Sequence, residues 1–243
     1  MKNFVVLIFL GSLIFLNNLK NTRNNERSFQ LSGKELLEKS ISYHDPTGLW
    51  NKFKGILKIR MTRPERTERN SQIEIDISKS FFKNTIIEGN NKTEQVVVND
   101  NCNITFNGRN TFYKDEIQKH KLTCSYALKM RDYFTYLYGL PMKLKDPGTI
   151  IHSKINSKVF KGKKYLVLKV DYEEPVGSDR WYFYFNPESY KLEAYQFFHD
   201  ESINDGEYIL LSDEKEINGI KMPKIRSWFY NKEDKFLSTD ILN

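Results

Sequence analysis

Past residue 29 the apolar positions follow two alternating periods. Leu36, Leu37, Ser40, Ile41 and His44 fall on one face at helical spacing, and Ser32 with Glu35 has the spacing of a capping box. Asp45-Pro46 ends that helix, because a residue before proline leaves the α region. From Asn51 the period drops to two. Gly55, Leu57, Ile59 and Met61 alternate with Ile56, Lys58 and Arg60, and Ile73, Ile75 and Ile77 continue the pattern. Phe81 to Ile87, Gln95 to Val98 and Ile104 to Phe106 add further short strands, closed by the turn pair Asn107-Gly108.

A second helical period runs through Tyr126, Met130, Tyr133, Phe134 and Leu137, and Gly139 and Pro141 predict its end. Strands then resume at Leu166–Tyr172, Trp181–Phe185 and Leu192–Phe198. They continue over Glu207–Ser212, Glu214–Ile217, Ile220–Met222 and Ile225–Tyr230, where the pattern ends. About ten to twelve strands, two helices and no strand–helix–strand alternation exclude a doubly wound nucleotide fold. The expected fold is mainly β: a curved antiparallel sheet forming an unclosed barrel, with the two helices over its concave face.

The amino terminus reads as an address. Lys2 precedes the uncharged run Phe4–Leu16, shorter than a spanning helix and shaped like a secretory signal, and a polar tether follows. The expected organisation is a leader or anchor with tether over residues 1–28 and one domain over 29–243, exported to a bacterial periplasm or cell envelope. Without residues 1–27 the formal charge of +7 falls to +4, too mild and scattered for a nucleic-acid partner. Aromatic residues make up 14% of the chain, which excludes a disordered class.

Candidate chemistry is sparse. His44-Asp45 and His199-Asp200 each set a carboxylate beside an imidazole, and each also reads as a helix end or polar turn. Neither a nucleophile elbow nor a phosphate loop is present, and no HExxH-type spacing supports a metal, so no cofactor is expected. Cys102 and Cys124 are the only cysteines. In an oxidising compartment a bridge between them would contribute roughly 3 kcal/mol, and two unpaired core thiols are the alternative.

Four stretches carry a resemblance: Ile41–Pro46 (ISYHDP), Tyr138–Thr149 (YGLPMKLKDPGT), Asp179–Pro187 (DRWYFYFNP), and Gly206–Leu211 with Asn218–Pro223. On these the chain resembles a family of bacterial envelope proteins known only as a domain of unknown function, itself similar to the LolA/LolB-like lipoprotein carriers. The resemblance implies an unclosed antiparallel barrel with helices over its mouth and acyl chains held in an apolar cavity. It carries no catalytic residues to this chain.

The residues expected to line such a cavity are Trp50, Phe53, Tyr133, Leu137, Leu140, Met142, Trp181, Phe183, Tyr195 and Phe197. Three functions follow. The first is a monomeric, membrane-proximal carrier or sensor of a lipid or acylated protein. The second is a hydrolase or metal-dependent enzyme using His44/Asp45 or His199/Asp200. The third is an envelope interaction protein with no ligand.

Overall fold

The first five strands run as one meander: β1 (Lys54–Thr62), β2 (Arg69–Asp76), β3 (Phe81–Glu88), β4 (Asn91–Val98) and β5 (Asn101–Phe106). Seven more form a second meander: β6 (Thr149–Phe160), β7 (Lys163–Tyr172), β8 (Arg180–Phe185), β9 (Leu192–Phe198), β10 (Glu207–Ile217), β11 (Ile220–Tyr230) and β12 (Phe236–Leu242). The two join where β12 pairs with β1, giving a single antiparallel sheet in the order β5-β4-β3-β2-β1-β12-β11-β10-β9-β8-β7-β6. Strands β5 and β6 are the two edges and do not pair, so the barrel is unclosed. This computed structural model describes residues 31–243, and the leader and tether expected over 1–28 lie outside the described residues.

The chain travels from one sheet edge to the other through helices, and that route creates the cover. After β5 come α2 (Lys114–His120) and α3 (Cys124–Gly139), then a single turn at Met142–Lys145 that leads into β6. Helix α3 packs against β3, β4 and β5, while α1 (Gly33–His44) packs against β6, β7 and β11. The two helices therefore cover opposite halves of the concave face. One continuous apolar core lies between helices and sheet, with Leu36, Leu37, Phe134 and Leu137 meeting Leu57, Ile73, Phe82, Leu168, Phe183 and Ile209.

The predicted start of α1 is present. Glu35 N donates to Ser32 Oγ at 3.3 Å, and Ser32 N donates to Glu35 Oε2 at 2.7 Å. Gly33 is required there for space: a Cβ would lie 2.0 Å from the His152 carbonyl oxygen on β6, so α1 rests directly on that edge strand. Asn218-Gly219 turns between β10 and β11 with φ of +51° and +81°, the left-handed pair of a tight hairpin.

Several element boundaries differ from expectation. The pieces Glu207–Ser212 and Glu214–Ile217 are one strand, β10, and Ile220–Met222 with Ile225–Tyr230 are one strand, β11. Strands β6 and β12 and helix α2 fall outside the expected elements. On β6 one residue alone, Ile155, is buried, because an edge strand meets solvent along most of its length. On β12 the buried positions are mixed in character: Ser238, Asp240 and Leu242 point inward, so polar residues occupy core positions and hide the alternation. Gly139 does end α3, but not through a left-handed conformation; a Cβ there would meet the Trp50 ring at 2.3 Å.

Candidate functional site

The ten expected lining residues are brought together on the concave side, where they pack chiefly against one another; Trp50 also borders a cavity of about 250 Å³ with Ile75, Phe82 and Thr135. Trp50 and Phe53, from the turn before β1, stack with ring centroids 5.3 Å apart. Leu137, Leu140 and Met142, around the end of α3, are buried with Phe183 and Tyr195 in the same core. Trp181 on β8 connects the group: its ring lies 5.9 Å from Phe183, 6.1 Å from Tyr195 and 4.8 Å from Phe197.

Three of the ten, Tyr133, Trp181 and Phe197, are half-buried, as are Tyr136 and Tyr172. Tyr136 links the helix to the sheet, with its ring 5.7 Å from Trp181 and 6.4 Å from Tyr172. Tyr133, one turn earlier in α3, packs on the core with its ring 6.3 Å from Trp228 of β11. An aromatic seam therefore runs along the junction of α3 with β7, β8 and β9, partly open to solvent and continuous with the core. Burial holds the Tyr133 and Tyr136 phenols well above the usual tyrosine range, so both stay neutral. Tyr136 and Tyr172 do not appear among the lining residues inferred from sequence. Tyr136 is not among the residues Tyr126, Met130, Tyr133, Phe134 and Leu137 that mark the helical period, and Tyr172 sits last in its strand.

Beneath the seam lies a buried polar group that the sequence reading missed. Arg226 on β11, 1% exposed, sits opposite Asp240 of β12. Its guanidinium donates to Leu137 O at 3.2 Å and to Pro223 O at 3.1 Å. Trp228 Nε1 donates to Asp240 Oδ2 at 3.1 Å. Burial raises the Asp240 carboxyl above its ordinary range, against the pull of Arg69 and Arg226. Tyr195, beside the guanidinium, is pushed up to about 12 by burial. Inward-facing polar residues of this kind break an apolar alternation without leaving a motif, which is why no pattern announced them.

The histidines take different partners from those expected. His44 is fully buried, and both ring nitrogens are used: Nδ1 meets Lys221 O at 2.7 Å and Nε2 accepts from Leu192 N at 3.0 Å. Nδ1 therefore carries the proton, and burial lowers the group to about 4. Asp45 accepts from Leu49 N at 2.7 Å and Trp50 N at 2.9 Å, fixing the chain that follows α1. His199 pairs with Asp179, at 2.6 Å, not with Asp200, whose carboxylate accepts from Ser202 N and Oγ. The first pair is consumed by backbone, and the second is an exposed ion pair in a polar turn. Among the described residues no group of three or more His, Cys, Asp or Glu side chains is assembled that could hold a metal.

Cys102 on β5 and Cys124 at the first turn of α3 are joined, with Cα atoms 5.7 Å apart. The bond ties the start of the cover helix to the edge of the sheet. Among the described residues no helix is long and apolar enough to cross a membrane.

Comparison with solved structures finds several chains similar to this one. A LolA-superfamily protein of Nitrosomonas europaea superposes with a TM-score of 0.51 at 10% identity, covering 88% of this chain and 92% of that one. A putative outer membrane lipoprotein-sorting protein domain of Vibrio parahaemolyticus gives a TM-score of 0.45 at 9% identity over 87% and 91% of the two chains. A DUF1329 family protein of Desulfovibrio piger gives 0.47 at 8% identity over 86% and 90%. The first of these establishes the fold as LolA-like. No curated protein matches the sequence significantly. Residues 13–242, nearly the whole chain, match a family model, and the chain therefore belongs to DUF6503, a family of unknown function.

Proposed function

We propose that this protein is an exported, monomeric envelope protein that takes up a lipid or the acyl chain of a lipoprotein on the concave face of its sheet, beneath α3. The observation that carries this reading is the half-exposed seam of Tyr133, Tyr136, Tyr172, Trp181 and Phe197, which joins solvent to the apolar core. Core side chains fill most of the concavity, so a long acyl chain enters by displacing α3. Each acyl methylene moved from water to that face gains about 0.8 kcal/mol, so a long chain can offset the contacts α3 gives up. The tether over residues 17–28 would keep the domain close to a membrane.

The test is native mass spectrometry, followed by solvent extraction, on the full chain recovered from a bacterial envelope. A bound species with the mass of a lipid is expected, and Trp181→Leu should reduce its occupancy. The bare polypeptide mass together with an extract free of fatty acid would overturn the reading.

A further inference from the structure

A cavity of about 300 Å³ opens between the β1–β2 connection and the end of α2, and its lining is basic rather than apolar. Arg63, Arg66 and Arg69 reach it from the connection between β1 and β2 and the strand ends beside it. Lys119, His120 and Lys121 reach it from the end of α2, across the opening. Glu88 is the one carboxylate in the lining, and it is taken by Arg63. Five permanent cations against one acid leave the wall at a net charge of four positive. The Nε atoms of Arg63 and Arg69 are buried and have no hydrogen-bond partner. A donor removed from water without a partner costs free energy, and the charge makes the deficit larger. Asp240, deeper in the fold, feels both arginines; its Oδ2 accepts from Trp228 Nε1, and its Oδ1 has no hydrogen-bond partner. The remaining polar lining residues are Asn91, Thr93 and Tyr126.

We infer that this cavity is a binding site for a phosphate group. Guanidinium forks match phosphate oxygens in pairs, and three arginines with two lysines around one small cavity suit a compact dianion. A volume of about 300 Å³ suits one headgroup-sized anion. The phosphate arrives either as a lipid headgroup or as a free phosphate compound. The site goes beyond the acyl-chain reading and does not depend on it.

Calorimetric titration of the full chain with inorganic pyrophosphate tests the site, alongside co-sedimentation with phosphatidylglycerol vesicles and with phosphatidylcholine vesicles. Arg66→Glu with Lys121→Glu reverses two exposed lining charges, and Lys34→Glu with Lys164→Glu makes the same charge change elsewhere. The pocket variant should weaken pyrophosphate binding about tenfold or more, while the control stays near wild type. Pyrophosphate binding without vesicle binding assigns the site to free phosphate compounds. Binding to phosphatidylglycerol vesicles that the pocket variant alone loses assigns it to a lipid headgroup. Wild-type protein that binds neither probe, or equal losses in both variants, would overturn the inference. Loss of bound lipid in Trp181→Leu with pyrophosphate binding unchanged reads the acyl site separately, so either proposal can fail alone.

Discussion

The Arg226 guanidinium lies 3.9 Å from the centroid of the Tyr138 ring, so a strand residue and a helix residue are stacked in the middle of the core. The same guanidinium donates to the Leu137 carbonyl, one residue earlier in α3. Arg226 is thus the polar pin between the second meander and the cover helix. Removing it leaves two carbonyls unpaired and Asp240 without the cation across the β11–β12 pair. Arg226→Ala should cost about 3–5 kcal/mol, the range for breaking a buried charge arrangement, measured by urea unfolding. Adding Asp240→Asn should cost less than the sum of the two single changes, because the neutral side chain no longer needs a cation. Strict additivity would show that the two residues do not act together.

His44 makes the protein sensitive to acid. Its folded-state value of about 4 lies below the unfolded 6.5, so between those values the unfolded chain binds the extra proton. Stability contributed by neutral His44 is fully present above pH 6.5 and is lost as pH falls towards 4, amounting to roughly 3 kcal/mol. Asp240, raised by burial, acts in the opposite sense as pH rises. The difference between wild type and His44→Asn isolates the histidine. The wild-type urea midpoint should fall between pH 6.5 and 4 by more than the variant's, and parallel curves would show that His44 titrates normally.

Which parts of this molecule could be read in advance follows from where the sheet meets water. A strand such as β2, with Ser71, Ile73 and Ile75 inward and Asn70, Gln72 and Glu74 outward, prints an alternation that a period of two detects. Strand β6 meets solvent on both faces, and β12 turns Ser238 and Asp240 inward, so neither prints it. The lining residues were legible as aromatic and apolar types, and they do gather on the concave side. Their mutual packing was not legible, because filling depends on how closely α1 and α3 approach the sheet. That approach is set by Gly33 and Gly139, whose role appears only once His152 and Trp50 are placed against them. Arg226, Asp240 and the basic cavity were invisible for a related reason: their residues come from distant segments that the topology brings together.

Gly139 offers a direct measure of that close approach. In an ordinary helix, glycine to alanine stabilises by about 1 kcal/mol, and Gly139 has no left-handed conformation to protect. Here the new methyl would lie 2.3 Å and 2.5 Å from two Trp50 ring atoms. Gly139→Ala should therefore destabilise by about 1–3 kcal/mol, the usual cost of overpacking. In a Trp50→Phe background, where the indole's second ring is gone, the same change should cost less. A stabilising Gly139→Ala in the wild type would show that α3 sits farther from Trp50.

The Cys102–Cys124 bond separates the stability of the cover from its movement. It closes a sequence separation of 22 between β5 and the first turn of α3, and its loss should cost roughly 3 kcal/mol of global stability through the freed unfolded chain. The proposed uptake of an acyl chain requires α3 to leave the concave face, and the bond holds one end of that helix to the sheet edge. Reduced protein, or Cys102→Ser with Cys124→Ser, should thus unfold at lower urea yet bind a fluorescent fatty acid faster, as read by stopped-flow mixing. The far end of the helix remains held by Arg226, so Arg226→Met in the reduced protein should accelerate binding further. Equal rates in oxidised and reduced protein would mean that the guest enters without lifting the amino-terminal end of α3, and would place the moving part at the Tyr136–Trp181 seam alone.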